Sequence, residues 1–129
     1  MGRSASRKRH VRKSAVLTEA DMSHPVARAR GGVVYPALAA LPGVHQVRAF
    51  LAGRAPSPPV ARLMGRRILD ASGGSVTYGL PATDWMLGPK GLMHPGVLAF
   101  LADGSLIATA VSALPARVLC TTAELSEVV

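Results

Sequence analysis

Apolar and polar positions along this chain fall into three successive patterns. Over residues 41–53, LPGVHQVRAFLAG, the apolar side chains Val44, Val47, Phe50 and Leu51 recur at helical spacing. The run ends on Gly53, so a short amphipathic helix is expected. RAPSPP (residues 54–59) interrupts the pattern as a linker, and VARLMG after it adds a helical turn. In RRILDASGGSVTYGLPA, residues 66–71 and 75–80 flank Gly73-Gly74, with Val76, Tyr78 and Leu80 alternating onto one face. That is the signature of a hairpin. TDWMLGPKGLM reads as a loop, marked by Gly88, Pro89 and Gly91, and VLCTTAELSEVV reads as a final strand. Between them, residues 95–114 form the longest apolar run of the chain. The order helix, two strands, long helix, strand is an α+β pattern with one helix central to the core, and no internal repeat is evident.

Residues 95–114 are long enough to span a bilayer. Against a span stand Asp103 near the midpoint and many small residues, among them Gly96, Ala99, Ala102, Gly104 and Ala108. An Asp at a helix centre costs roughly 2.5–3.5 kcal/mol on insertion. No basic cluster or aromatic belt flanks the run. A core helix covered by a sheet accounts for both its apolarity and its small residues, and no membrane span is expected.

Charge changes the picture only at one end. The formal net charge is +8, but six of the fifteen Lys and Arg lie within the first thirteen residues, where there is no acid. Fifteen less six leaves nine basic against seven acidic residues, so the body is nearly neutral. The division expected is a basic, disordered extension over residues 1–35 and a folded domain over residues 36–129. The extension reads as solvated, because no aromatic or groove-reading motif accompanies its charges. A nucleic-acid contact and a transit peptide are the other readings of that composition. The single Cys120 excludes an intrachain disulfide and a Cys-rich metal site, which is compatible with a cytoplasmic protein. Within its strand-like run Cys120 is expected as a small buried hydrophobe.

Candidate chemistry concentrates on Asp103. An isolated charge in an apolar run is costly unless it is paired or put to use. No nucleophile elbow or phosphate loop competes with it, and the four histidines (His10, His24, His45, His94) lack metal-ligand spacing. No cofactor or metal is implied.

Over residues 41–126 the chain resembles the PaaI-like acyl-CoA thioesterases of the hotdog fold. The similarity is carried by LPGV, PPVARLMG, the hairpin ending LPATDW, the loop GPKGLMHPGVLAFLAD, and SALPARVLCTTAELS. The most specific element of that family is a His-Gly-Gly opening of the central helix with an Asp nine residues after the His. Here it stands as His94-Pro95-Gly96 with Asp103. The resemblance implies a curved antiparallel sheet around a long helix and a homodimer with two active sites. It also implies acyl-CoA as substrate, with Asp103 as base or nucleophile on the thioester carbonyl. His94, Val97 and Gly88 fall at positions implied to contact substrate, His94 as a cap or loop anchor rather than a base.

Spacing alone also favours two chains. On a helix opened by His94, Asp103 lies about 13.5 Å along the axis and about 900° around it, on the opposite face. A second copy presenting its helix N-terminus to Asp103 resolves this. Backbone N–H groups at a helix N-terminus are suitable donors to a developing oxyanion.

Two positions depart from the family pattern. Pro95 has no N–H to donate, which leaves Gly96 and Val97 as the donors, with Gly96 as the substitute oxyanion group. Gly88 stands where the family has an Asn. Relatives also continue beyond VLCTTAELSEVV with several strands, so a truncated, incomplete sheet is expected. The reading that follows is an acyl-CoA thioesterase-type protein. Its alternatives are an inactive fragment or acyl-CoA-binding remnant of that family, and a basic-tailed nucleic-acid-binding protein.

Overall fold

The structure is a computed structural model, and it describes residues 31–32, 36–126 and 128. Most of the proposed basic extension over residues 1–35, and with it the nucleic-acid and transit-peptide readings, lies outside the described residues. Among the described residues, three helices and one hairpin make up the regular structure: α1 (Gly43–Leu51), α2 (Pro59–Met64), β1 (Arg67–Ser72), β2 (Ser75–Gly79) and α3 (Pro95–Ser112). Short 3-10 turns occupy Ala37–Ala40 and Asp84–Met86. The architecture is α+β, a two-stranded antiparallel sheet packed with a long helix.

Each element begins and ends where its residues dictate. α1 starts after Pro42 and buries Gly43, Gln46, Val47 and Ala49 on one side. α2 opens with Pro59 at its first position, where a missing N–H costs nothing. It ends at Gly65, whose φ of 76° is left-handed. The Arg66 N–H then reaches back to the Ala61 carbonyl at 2.9 Å, which turns the chain sharply into β1. β1 and β2 pair from Ser72↔Ser75 to Arg67↔Gly79, with a bulge between Ile68 and Asp70.

The core is a small cluster of Val47, Ala71 and Ala108, against which Leu51, Ile68, Val76, Tyr78 and Val111 pack. One residue of it comes from each of α1, β1 and α3, so the hairpin and α1 together form a seat for α3. Polar ties reinforce the seat. Arg48 Nε donates to the Ala71 carbonyl at 3.3 Å. The Gly74 N–H in the hairpin turn donates to Ser112 Oγ at 2.8 Å, and that hydroxyl donates to the Thr109 carbonyl at 2.7 Å. The Gly43 N–H donates to the Leu114 carbonyl at 3.0 Å, so the positive end of α1 meets the negative end of α3. A Cβ on Gly43 would overlap the Val111 carbonyl, so this junction requires glycine.

One expectation is met in part and one is corrected. The first is the coverage of α3, whose open flank is what an incomplete sheet leaves. Its buried residues Val97, Gly104, Ala108 and Ser112 form a single stripe, while Leu98 and Leu106 are exposed, Leu106 at 61%. The sheet does not wrap it. Two strands spaced about 4.8 Å apart cannot surround a helix about 10–12 Å wide. By length and composition α3 is a candidate to cross a membrane, and only a minor share of it is buried.

The second is the final strand. Residues 113–126 form no strand. A strand exists only beside a hydrogen-bonding edge, and this segment instead bonds to other elements. The Arg117 N–H donates to the Ala39 carbonyl at 2.9 Å, and Thr122 reaches Asp103 on α3. Cys120 is accordingly exposed rather than buried.

Candidate functional site

The five residues singled out in the sequence divide between the start of α3, with the loop that leads into it, and the middle of that helix. At its N-terminus, His94 occupies the cap position and Pro95 the first helical turn. His94 Nδ1 accepts the Gly96 N–H at 3.0 Å, and the Val97 N–H donates to the His94 carbonyl at 2.9 Å. Since Nδ1 accepts, the neutral ring carries its proton on Nε2. The remaining exposed donor at this end is therefore the imidazole itself. The expectation that Gly96 and Val97 present free N–H groups is corrected: both are already bonded, because the side chain and carbonyl of His94 turn inward as a cap.

The loop before the helix is held in the same region. The His94 N–H donates to the Met86 carbonyl at 2.8 Å, and the Gly88 N–H to the Leu92 carbonyl at 2.7 Å. Leu87 and Met93 form an isolated antiparallel bridge. A Cβ on Gly88 would lie 3.9 Å from His94 Cδ2, so Gly88 and the His94 ring are neighbours. Val97 is buried at 9% exposure and packs inward rather than lining an open surface.

Asp103 stands apart from this group. Gly96 precedes it by seven residues, which returns to nearly the same helical face but places it about 10.5 Å along the axis. Axial distance rather than orientation separates the two groups within one chain. Asp103 is half-buried, and its Oδ1 accepts a hydrogen bond from Thr122 Oγ1.

Asp103 also lines a cavity of about 360 Å³ between α1, the hairpin, α3 and the returning residues 118–120. The walls are mostly apolar, with Val47, Ile68, Ile107 and Val111 prominent. Three polar side chains join them: Gln46, Arg66 and Tyr78. Gln46 is occupied locally, its Nε2 donating to the Leu41 carbonyl at 2.8 Å. Arg66 lies across α3. Its Nη1 donates to the Phe100 carbonyl at 3.0 Å, and its guanidinium sits 4.3 Å from the Phe100 ring centroid and 5.0 Å from that of Tyr78. Burial pushes the Tyr78 phenol above its ordinary pKa, partly offset by the neighbouring Arg66 charge.

Arg66 and Tyr78 were not anticipated as site residues. A signal for them does exist in the sequence. Gly104 follows Asp103 in the interior of a helix whose other glycine, Gly96, lies in the first turn, and a Cβ on Gly104 would overlap Arg66 Nη1. A glycine inside a helix marks a close approach, but only the tertiary structure identifies what approaches. Among the described residues no group of His, Cys, Asp and Glu is arranged to hold a metal ion. No family model matches the chain, and neither a curated protein nor a solved structure matches it.

Proposed function

We propose that this chain is a hotdog-type acyl-CoA thioesterase of the PaaI-like kind. In this reading Asp103 either draws a proton from the attacking water, or attacks the thioester carbonyl carbon to form a mixed anhydride that a water then hydrolyses to the free acid. On either route the C–S bond breaks and the leaving thiolate takes up the proton that the water gives up. A second copy presents the N-terminus of its α3 to the carbonyl oxygen. The observation that carries the reading is the placement of Asp103. The carboxylate follows the His94 cap by nine residues, on a long helix, and faces a largely apolar cavity. A second copy is supported by the uncovered face of α3, where Leu98 and Leu106 meet solvent.

The donors at the helix start define the chemistry asked of the partner copy. Pro95 has no N–H, and the Gly96 N–H is bonded to His94. The His94 Nε2–H is the group left to meet an oxyanion, unless the ring swings aside and releases Gly96. That same observation favours a second reading, a protein that binds acyl-CoA without turning it over.

Purified full-length protein assayed against short, medium and aryl acyl-CoAs tests both. Turnover that Asp103→Asn abolishes supports the thioesterase. A folded protein that binds acyl-CoA without hydrolysing it supports the second reading. A hydrolysis rate unchanged in Asp103→Asn would sink the role given to that residue.

A further inference from the structure

We propose that the cavity beside α3 is a binding site for a medium-chain monocarboxylate, with the Arg66 guanidinium as the partner of its head group. The argument starts from the charge balance of Arg66. A half-buried cation needs a counter-charge or several hydrogen bonds to offset its lost hydration. Arg66 has one carbonyl, that of Phe100, and the faces of two aromatic rings. Its Nε is buried and has no hydrogen-bond partner. Among the described residues no carboxylate pairs with it. Asp103, the acid that the described residues place on the cavity wall, accepts from Thr122.

The chain nevertheless makes room for this cation at some cost. Gly104 lacks the Cβ that would overlap Nη1, although glycine weakens a helix interior relative to alanine. Gly65 ends α2 in a left-handed conformation one residue earlier, which brings Arg66 onto α3. A guanidinium held by backbone and ring faces is rigid before any ligand arrives, and its planar fork suits a carboxylate.

The rest of the cavity selects the ligand. Its volume, about 360 Å³, falls within the usual range for small-molecule sites. Val47, Ile68, Ile107 and Val111 call for an apolar tail. A single cation with an aspartate on the same wall suits one negative charge and disfavours a phosphate dianion. Binding of the free acid needs no thioester chemistry, so the inference stands whether or not the chain is a thioesterase.

Isothermal titration of the full-length protein with octanoate, octanol and octyl phosphate tests it without any variant. Octanoate is expected to bind about tenfold more tightly than octanol, the difference that one charge-assisted contact makes. Arg66→Gln should remove that preference while octanol binding persists, and Asp103→Asn, which abolishes turnover in the thioesterase reading, should retain octanoate binding. Equal affinity for octanol and octanoate would overturn the proposal. So would tighter binding of octyl phosphate, or an octanoate preference that survives in a folded Arg66→Gln protein.

Discussion

Thr122 Oγ1 donates a hydrogen bond to Asp103 Oδ1, linking two residues nineteen apart. The bond holds the segment after α3 against the middle of the helix, where a ladder of strand hydrogen bonds was expected. It also occupies one oxygen of the carboxylate on which the thioesterase reading depends. Thr122 is exposed, so water competes for the bond and its net worth falls within the ordinary range for a hydrogen bond rather than the higher one for buried charged acceptors. Thr122→Val is expected to cost about 1 kcal/mol or less. Amide exchange should quicken across residues 118–126 and remain unchanged in the hairpin. Uniform acceleration throughout the chain would contradict the view of this bond as a local strap.

Ser112 connects α3 to the hairpin turn through a hydroxyl that both accepts and donates, and it is only 4% exposed. Ser112→Ala leaves the Gly74 N–H without its partner. A loss of about 1–2 kcal/mol is expected, readable as a lowered midpoint in urea denaturation with an unchanged slope.

Gly43 sits where α1 abuts the end of α3. A Cβ there meets the backbone carbonyl of Val111, which cannot rotate away as a side chain can. Gly43→Ala is expected to cost about 3 kcal/mol or more, as overpacked sites do. Gly73→Ala is the matched control, because its Cβ would lie 3.9 Å from the Ser112 carbonyl in ordinary contact. Thermal melts of the two variants should therefore differ widely.

Tyr78 makes stability depend on alkaline pH. Burial raises its pKa above the ordinary 10.0, so the fold favours the neutral phenol. Its contribution is fully present below pH 10.0, where the unfolded chain is also neutral, and is lost as pH rises through the folded pKa. In urea titrations over an interval of rising pH that begins at 10.0, the stability advantage of the native protein over Tyr78→Phe should shrink. An advantage that stays constant over that interval would contradict the burial-driven shift.

Leu106, 61% exposed on the open face of α3, tests the second copy. In the proposed dimer, Leu106→Asp places a charge in an apolar contact. Sedimentation equilibrium should then report the dimer mass for the native protein and the monomer mass for the variant. A native protein that is monomeric at all concentrations removes the two-chain site from the proposed mechanism.

Much of the local structure is legible from pattern alone. The helical spacing of Val44, Val47, Phe50 and Leu51 lies in α1, and the Gly73-Gly74 pair marks the turn that joins β1 to β2. Pro95 starts α3, since its fixed φ and missing N–H suit a first helical turn. The role of His94 as a cap was also readable. Less legible was anything that depends on a neighbour. Cys120 reads as buried because its surroundings are apolar in sequence, yet no strand edge lies beside it. Gly96 reads as a free donor because helix ends leave N–H groups unpaired, yet the imidazole two residues back accepts it.

The sequence by itself determined where helices and turns begin and end, because capping, proline geometry and apolar period act within a few residues. It also set Asp103 into an apolar helix and left a glycine beside it. Only the tertiary structure decided that Arg66, thirty-four residues from Phe100, fills the space Gly104 leaves open. It alone decided, too, that Thr122 rather than a strand partner meets Asp103. Both outcomes turn on groups distant in sequence satisfying one another's charge and hydrogen bonds, and no local pattern specifies which distant group arrives.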